Sequence, residues 1–410
     1  MARVAVTGIG TINSIAGETK SFATALQEMR VGTGRITRFD PVDYPVKIAA
    51  EVKDFDPKVH LGKKLAKRYD RFLQFALVAA REAMLDSGLD LQGDWRDQAA
   101  VTVSSGIGGV TTLQREYDVF CQYGPRFISP FLIPMLIPNM VSGIISMEFG
   151  LRGPNFATVS ACASSLHSLI VSTMMIKHGY AQVAVTGGSE AIVEKIPVAG
   201  FANMLALSRN NDNPQVASRP FSPDRDGFVI GEGAGIIVLE SEEFAKHRKA
   251  RIYGFIDGFG MSGDAYDFSA SAPDGEGATA AMSAALKMAD IAPGNVDLIN
   301  CHATGTPLGD ISEAKAIRNI FGPRTTDTYV QATKSLIGHT IGAAGAIELI
   351  ASILQGEIGF IHGVPNLDRT DPECIDLNIP TATVTACPRT IVKNAFGFGG
   401  QNASVVYECA

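Results

Sequence analysis

Cys162, in the run Val159-Ser160-Ala161-Cys162-Ala163-Ser164-Ser165, has the setting of a nucleophile. A stretch rich in Ser, Leu, Ile, Val and Met follows it, which places the thiol at a strand-to-helix junction. There the unsatisfied N–H groups and the positive end of the helix dipole favour thiolate, and a tight turn presents sulfur at the floor of a cavity. A cysteine taken alone is more often a small buried hydrophobe; the junction brings the two readings level.

His302, in Asn300-Cys301-His302-Ala303-Thr304-Gly305-Thr306-Pro307, follows an apolar strand, and His339, in Ser335-Leu336-Ile337-Gly338-His339-Thr340, has a similar place. Carboxyl ends of strands are where α/β proteins build their sites. Two imidazoles converging on one thiol can bind an oxyanion or carboxylate and move protons near neutral pH; a capped turn histidine is the competing reading for each. His60, His167, His178, His247 and His362 lack such a context and read as surface or packing residues. Lys334 shares a loop with His339, and Glu348 on the next helix would hold it as an ion pair; a solvated lysine fits equally well. The run from Asn394 to Asn402 interleaves Phe396 and Phe398 with glycines, as a loop before the last strand. Such a backbone can aim an N–H at a developing oxyanion and let a phenylalanine swing as a gate, or can simply pack two rings. Finally, Lys64, Lys67, Arg68 and Arg71 fall on one face of an expected helix over 64–86, suited to an acidic partner or to plain solvation.

These groups need a scaffold, and the chain supplies alternating strands and helices. Continuous apolar runs such as Val183–Thr186 read as strands covered on both faces, so the fold class is α/β with mainly parallel strands. The segments 157–173 and 331–352 each run from a strand through a polar turn into a small-residue helix, a hint of internal duplication. The charged stretch at His247–Arg251 marks the expected boundary between a half spanning 1–247 and one spanning 248–410.

Composition narrows the function. The 410 residues carry a net charge of −7, which disfavours nucleic acid as the main partner. The first residues, MARVAVTGIG, lack the core and cleavage site of a signal peptide, and no run reaches the length of a membrane span. Six scattered cysteines with no paired motif point to reduced thiols in the cytoplasm and against a zinc site.

Taken in order, these segments resemble the β-ketoacyl-acyl-carrier-protein synthases, closest to the type II elongation synthase. The match runs over nearly the whole chain, through Val6–Gly10, Ser105–Gly109, Gly150–Pro154, Cys162, Ser218–Phe221, Arg225–Phe228, His302, Lys334, His339 and Phe396–Gly400. The resemblance implies the thiolase fold, two α-β-α-β-α halves in a five-layered sandwich, working as a homodimer or as a heterodimer with a related subunit. It implies decarboxylative condensation of a Cys162-bound acyl group with malonyl-acyl-carrier protein, with no metal or resident cofactor, since phosphopantetheine arrives on the substrate. By position, His302 and His339 would assist decarboxylation, and the N–H groups of Cys162 and Phe398 would form the oxyanion hole. Phe398 would gate the site beside Phe396, and Lys334 with Glu348 would support His339. Thr304 and Thr306 would bind the phosphopantetheine arm, Ile107 and Phe201 would shape the acyl pocket, and Lys64, Lys67 and Arg68 would meet acyl carrier protein. This chain departs from the family at Asn394-Ala395, Gln401, Cys301, Ala303 and Leu205, none of them a catalytic group. A thiolase would need a second cysteine in the last glycine-rich loop, where this chain offers Phe396 and Phe398. A non-catalytic chain-length subunit would typically lack the nucleophile, which is present.

Overall fold

The computed structural model of the chain describes residues 3–410; Met1 and Ala2, with which the expected first half begins, lie outside the described residues. Ten strands carry the fold: β1 Val4–Asn13, β2 Ala99–Ser104, β3 Asn155–Phe156, β4 Val183–Glu190, β5 Gly233–Ser241, β6 Gly254–Gly263, β7 Leu298–Asn300, β8 Tyr329–Gln331, β9 Thr390–Gly397 and β10 Gln401–Cys409. Their order is β8-β7-β9-β10-β6-β1-β5-β4-β2-β3. Split between β6 and β1, this is one five-stranded pattern written twice, each strand of the first half matching the strand five places later. In both copies the first pairs are parallel and the last two antiparallel. A short antiparallel join, Val4↔Ile256 to Val6↔Gly254, connects them.

The helices that matter are α1 Pro57–Arg68, α2 Arg71–Ser87, α3 Met140–Phe149, α4 Ser164–Lys177, α5 Lys195–Asn203, α6 Glu276–Ala289, α7 Pro307–Phe321, α8 Lys334–Ile337 and α9 Ala344–Ile358. α2 and α3 cover one outer face, α6 and α7 the other, while α4 and α9 pack together between the two sheets. This is the duplicated five-layered sandwich expected from the resemblance. Both outer helices approach the sheets at glycine: a Cβ on Gly8 or Gly10 of β1 would stand 2.3 or 2.1 Å from carbonyls of α2, and one on Gly258 or Gly260 of β6 2.2 or 2.0 Å from carbonyls of α6. Real side chains do not tolerate such distances, so the same small-residue seam recurs in each half.

The segment Ile341–Ile358 is long and apolar enough to cross a membrane, but 89% of it is buried inside the protein, where it forms the central layer with α4. All six cysteines are free.

Three expectations change. The strands are not mainly parallel, since five of the nine pairings in the sheet are antiparallel. Residues 64–86 are not one helix: α1 ends at Arg68, Asp70 caps α2 by accepting from Phe72 N at 3.2 Å, and Gly62 is non-helical at φ 74°. Arg71 therefore leaves the basic face; its guanidinium is held by Glu232 at 2.6 Å and by the Val52 carbonyl at 3.1 Å. The run 394–402 is not wholly loop. β9 reaches Gly397 and β10 starts at Gln401, so only Phe398–Gly400 turns.

Candidate active site

Each half contributes the same local device. After a strand, and in the second half after the short helix α8 as well, the chain makes one 3-10 turn, at Ala161–Ala163 or Ile341–Ala343, and a central helix begins. The first residue of each turn is left-handed without being glycine, Ala161 at φ 48° and Ile341 at φ 43°. Conformations of this kind cost on the order of 1–3 kcal/mol each and persist where the surroundings fix them. In the first half the turn lifts Cys162 to the floor of a cavity of about 520 Å³. In the second the device places Ile341 in the cavity wall.

His339 Nε2 lies 3.0 Å from Cys162 Sγ. His302 crosses His339 edge-on, with ring centroids 5.4 Å apart and planes at 84°. One donor atom from each of Cys162, His302 and His339 falls within 4.8 Å of the others. Nδ1 of each ring is buried without a hydrogen-bond partner, leaving Nε2 to face the cavity. Phe228 packs edge-on against His339 at 5.2 Å, and Phe396 against His302 at 5.7 Å. The three donors have the spacing of a metal tripod, but the buried cations described next oppose a dication there.

Lys334 and Glu348 do pair. Nζ lies 2.7 Å from Oε1 with both side chains essentially unexposed. A second buried lysine, Lys393 of β9, lies 2.5 Å from Oε2, the oxygen to which Lys334 also donates at 2.9 Å. Glu313 of α7 accepts from the backbone N–H groups of His302 at 2.9 Å and Ala303 at 2.7 Å, and Asp310 accepts from Gly305 N at 3.0 Å, so one helix fixes the histidine loop. Glu190 does the same for the nucleophile's surroundings, accepting from Ser105 Oγ, Gly106 N and Gly342 N at 2.7, 2.7 and 2.9 Å. A carboxylate serving two buried ammonium groups is costly to remove. Glu348→Ala is expected to lower stability by about 3–5 kcal/mol, the usual cost of stranding buried charge. A denaturant titration matching wild type would contradict the shared-carboxylate reading.

Thiolate is not the resting state. Burial pushes the Cys162 thiol up to about 12, and the opposing pull of Lys334 and of the N–H groups of Phe398 and Cys162 does not reverse it. Burial likewise holds His339 well below the usual imidazole range, with Lys334 and Lys393 adding to it, and His302 follows the same pattern. The junction was read as a thiolate site; desolvation outweighs the helix end. A neutral thiol therefore faces a neutral imidazole, and the proton moves only during attack. The N–H groups of Cys162 and Phe398 both bear on the sulfur, where a carbonyl oxygen would develop charge.

The remaining expected residues fall in two places. Ile107, Phe201, Thr304, Thr306, Phe396 and Phe398 line the same cavity as Cys162, and the Thr304 and Thr306 hydroxyls lie 3.0 Å apart. Lys64, Lys67 and Arg68 line a separate concavity with Arg115 and Phe131, sharing no residue with the first. Lys393, Glu313 and Glu190 were not singled out from sequence. A lone Lys in a strand, and Glu residues seven and eleven places from the nearest marked residue, carry no motif.

A family model described as "Beta-ketoacyl synthase, N-terminal domain" matches residues 1–245, and one described as "Beta-ketoacyl synthase, C-terminal domain" matches residues 253–368. A 3-oxoacyl-[acyl-carrier-protein] synthase 2 of Coxiella burnetii is 42% identical over 405 residues, 98% of each chain. Its namesake in Staphylococcus aureus strain N315 is 43% identical over 408 residues, 99% of this chain and 98% of that one. Among solved structures, the ishigamide ketosynthase/chain length factor superposes with a TM-score of 0.93 at 32% identity, covering 100% and 99% of the chains. A type II PKS acyl-carrier protein in complex with its ketosynthase bound to the hexaketide gives 0.90 at 28% identity, covering 100% and 99%.

Proposed function

Because the chain belongs to the beta-ketoacyl synthase family, we propose that it condenses a Cys162-bound acyl group with malonyl-acyl-carrier protein, giving β-ketoacyl-acyl-carrier protein and carbon dioxide in fatty-acid or polyketide synthesis. The observation that carries the reading is the 3.0 Å contact of His339 Nε2 with Cys162 Sγ, with a second imidazole beside it in one apolar cavity.

Acylation begins as Sγ attacks the thioester carbonyl and its proton passes to His339 Nε2. The tetrahedral oxyanion is met by the Cys162 and Phe398 N–H groups, and the departing carrier thiolate takes the proton back. Malonyl-carrier protein then enters. Its carboxylate carbon–carbon bond breaks, carbon dioxide leaves, and the electron pair becomes an enolate whose oxygen is bound by His302 and His339. The enolate carbon attacks the acyl-cysteine, and Cys162 leaves and recovers one proton from solvent. No metal or resident cofactor takes part, the pantetheine arm running past Thr304 and Thr306. The halves 1–247 and 248–410 supply the nucleophile and the two histidines respectively.

Acyl carrier protein docks on Lys64, Lys67 and Arg68, which are exposed around a concavity, with Arg68 5.2 Å over the Phe131 ring. Lys64→Glu with Lys67→Glu should raise KM for carrier-bound substrate about tenfold or more at low salt, kcat falling less, and narrow that gap as salt is added. An unchanged KM at low salt would move the docking site elsewhere. The chain works in the cytoplasm as a homodimer: strand β3 ends the sheet with Phe156 exposed, and Tyr117, Phe120, Tyr123 and Phe127 are exposed as well. A related subunit pairing on the same edge would appear as a mixed dimer in sedimentation.

The test is intact-mass spectrometry after mixing with acyl-carrier proteins, then with malonyl-carrier protein. Mass gain at Cys162 that discharges into a β-ketoacyl product is expected. No gain from any donor would overturn the assignment.

A further inference from the structure

Lys393 is wholly buried at the base of the active site, on a strand that needs no charge for packing. Its Nζ lies 2.5 Å from Glu348 Oε2 and donates to the carbonyls of Asn300 at 3.3 Å and Cys301 at 3.1 Å, the two residues that lead into His302. Asn300 Oδ1 accepts a further bond at 3.3 Å. Lys334 shares the Glu348 carboxylate, donating to Oε2 at 2.9 Å while lying 2.7 Å from Oε1. One carboxylate thus faces two lysines: burial lowers Lys393 from the ordinary lysine range, with Lys334 adding to it, while Glu348 pulls the other way and favours its ammonium form.

The remaining charged or titratable groups around the imidazoles do not cancel that excess. Glu313 and Asp310 of α7 turn their oxygens to backbone N–H groups of the His302 loop, and Glu313 also accepts from Asn394 Nδ2 at 3.0 Å. Glu190 of β4 is taken up by Ser105, Gly106 and Gly342. Cys162 and Cys301 are neutral thiols, burial raising both. A desolvated lysine is expensive to keep, so its retention where an apolar residue would pack calls for a role in the chemistry.

We infer that Lys393 is a positioning residue for condensation: it clamps the backbone carrying His302 and leaves one uncompensated positive charge beneath both imidazoles, holding them as neutral N–H donors to the forming enolate. The inference rests on the condensing reading above. Protonation of His339 would remove the lone pair that takes the Cys162 proton, and protonation of either ring would add a cation beside the two lysines. The charge beneath the rings opposes that event, and it also draws the malonyl carboxylate and enolate toward them.

Two variants separate charge from clamping: Lys393→Met removes both, whereas Lys393→Gln keeps one donor for the carbonyls. In wild type, NMR titration should show both imidazoles protonating below the ordinary histidine range. In each variant the titration, and the acid limb of kcat/KM for malonyl decarboxylation, should rise by about one pH unit or more, since removing a near like charge shifts a group by that order. Circular dichroism and acylation of Cys162 verify the fold. Wild-type imidazoles that titrate in the ordinary range, or a variant that folds and leaves both profiles unmoved, would overturn the inference. Failure of the wild type to condense, with the NMR shift intact, would strike the condensing reading and leave the electrostatic role standing.

Discussion

Cys162→Ala protein is expected to lose condensation by on the order of 10⁵-fold or more, the scale on which a concerted site fails without its nucleophile. The same protein should still decarboxylate malonyl-carrier protein slowly. The reason lies in how the site divides. In the proposed reaction the sulfur takes the acyl group, whereas His302 and His339, the groups assigned to the enolate, are placed by a different half of the chain and survive the substitution. Loop His302–Thr306 hangs from Glu313 and Asp310, and His339 from its own N–H to the Val229 carbonyl at 2.7 Å, none of which involves Cys162. Product formation by the variant at anything near the wild-type rate would end the case for Cys162 as the acylated residue.

The second large effect separates the two histidines. His339→Ala should slow both half-reactions, because its Nε2 is the group in contact with sulfur, and the raised thiol needs a base to ionise. A loss of about 10²- to 10³-fold in acylation is the expected scale for a missing general base, some self-acylation remaining. His302→Ala should leave acylation within about tenfold while lowering decarboxylation by about 10²- to 10⁴-fold, since the ring has no bond to the sulfur. Stopped-flow acylation and carbon dioxide release, measured on each variant, read the two steps apart. Equal acylation defects in both variants would erase the division of roles.

Much of this site is legible in the sequence. Cys162 and His302 declare themselves by residue type where strands give way to turns, and with His339 their order along the chain matches a family; His339 itself follows helix α8 rather than a strand end. The Lys334–Glu348 pair followed from proximity to His339 and was found buried as expected. What escaped has physical causes. The helix over 64–86 broke because Asp70 binds Phe72 N and Thr112 N, a capping role that an apolar periodicity does not register. β9 was concealed by the glycines that follow it, and with it Lys393, whose partner lies 45 positions away. The thiolate expectation failed because helix-end electrostatics are visible in a sequence whereas depth of burial is not.

The paired left-handed turns at Ala161 and Ile341 have one more consequence. Counting along the two repeats, Cys162 and Gly342 are each other's counterparts. A side chain at Gly342 would meet Gly106 N at 2.3 Å and Glu190 Oε2 at 2.8 Å, so the second copy has built its wall through the spot where a nucleophile would stand. Once the copies had diverged this far, no single substitution could return a thiol to the second one. The ancestry of the fold is symmetric, but its inheritance is not: one repeat kept the covalent bond-maker, the other became the groups that serve it. A second acylation site per assembly comes to such a lineage by adding chains.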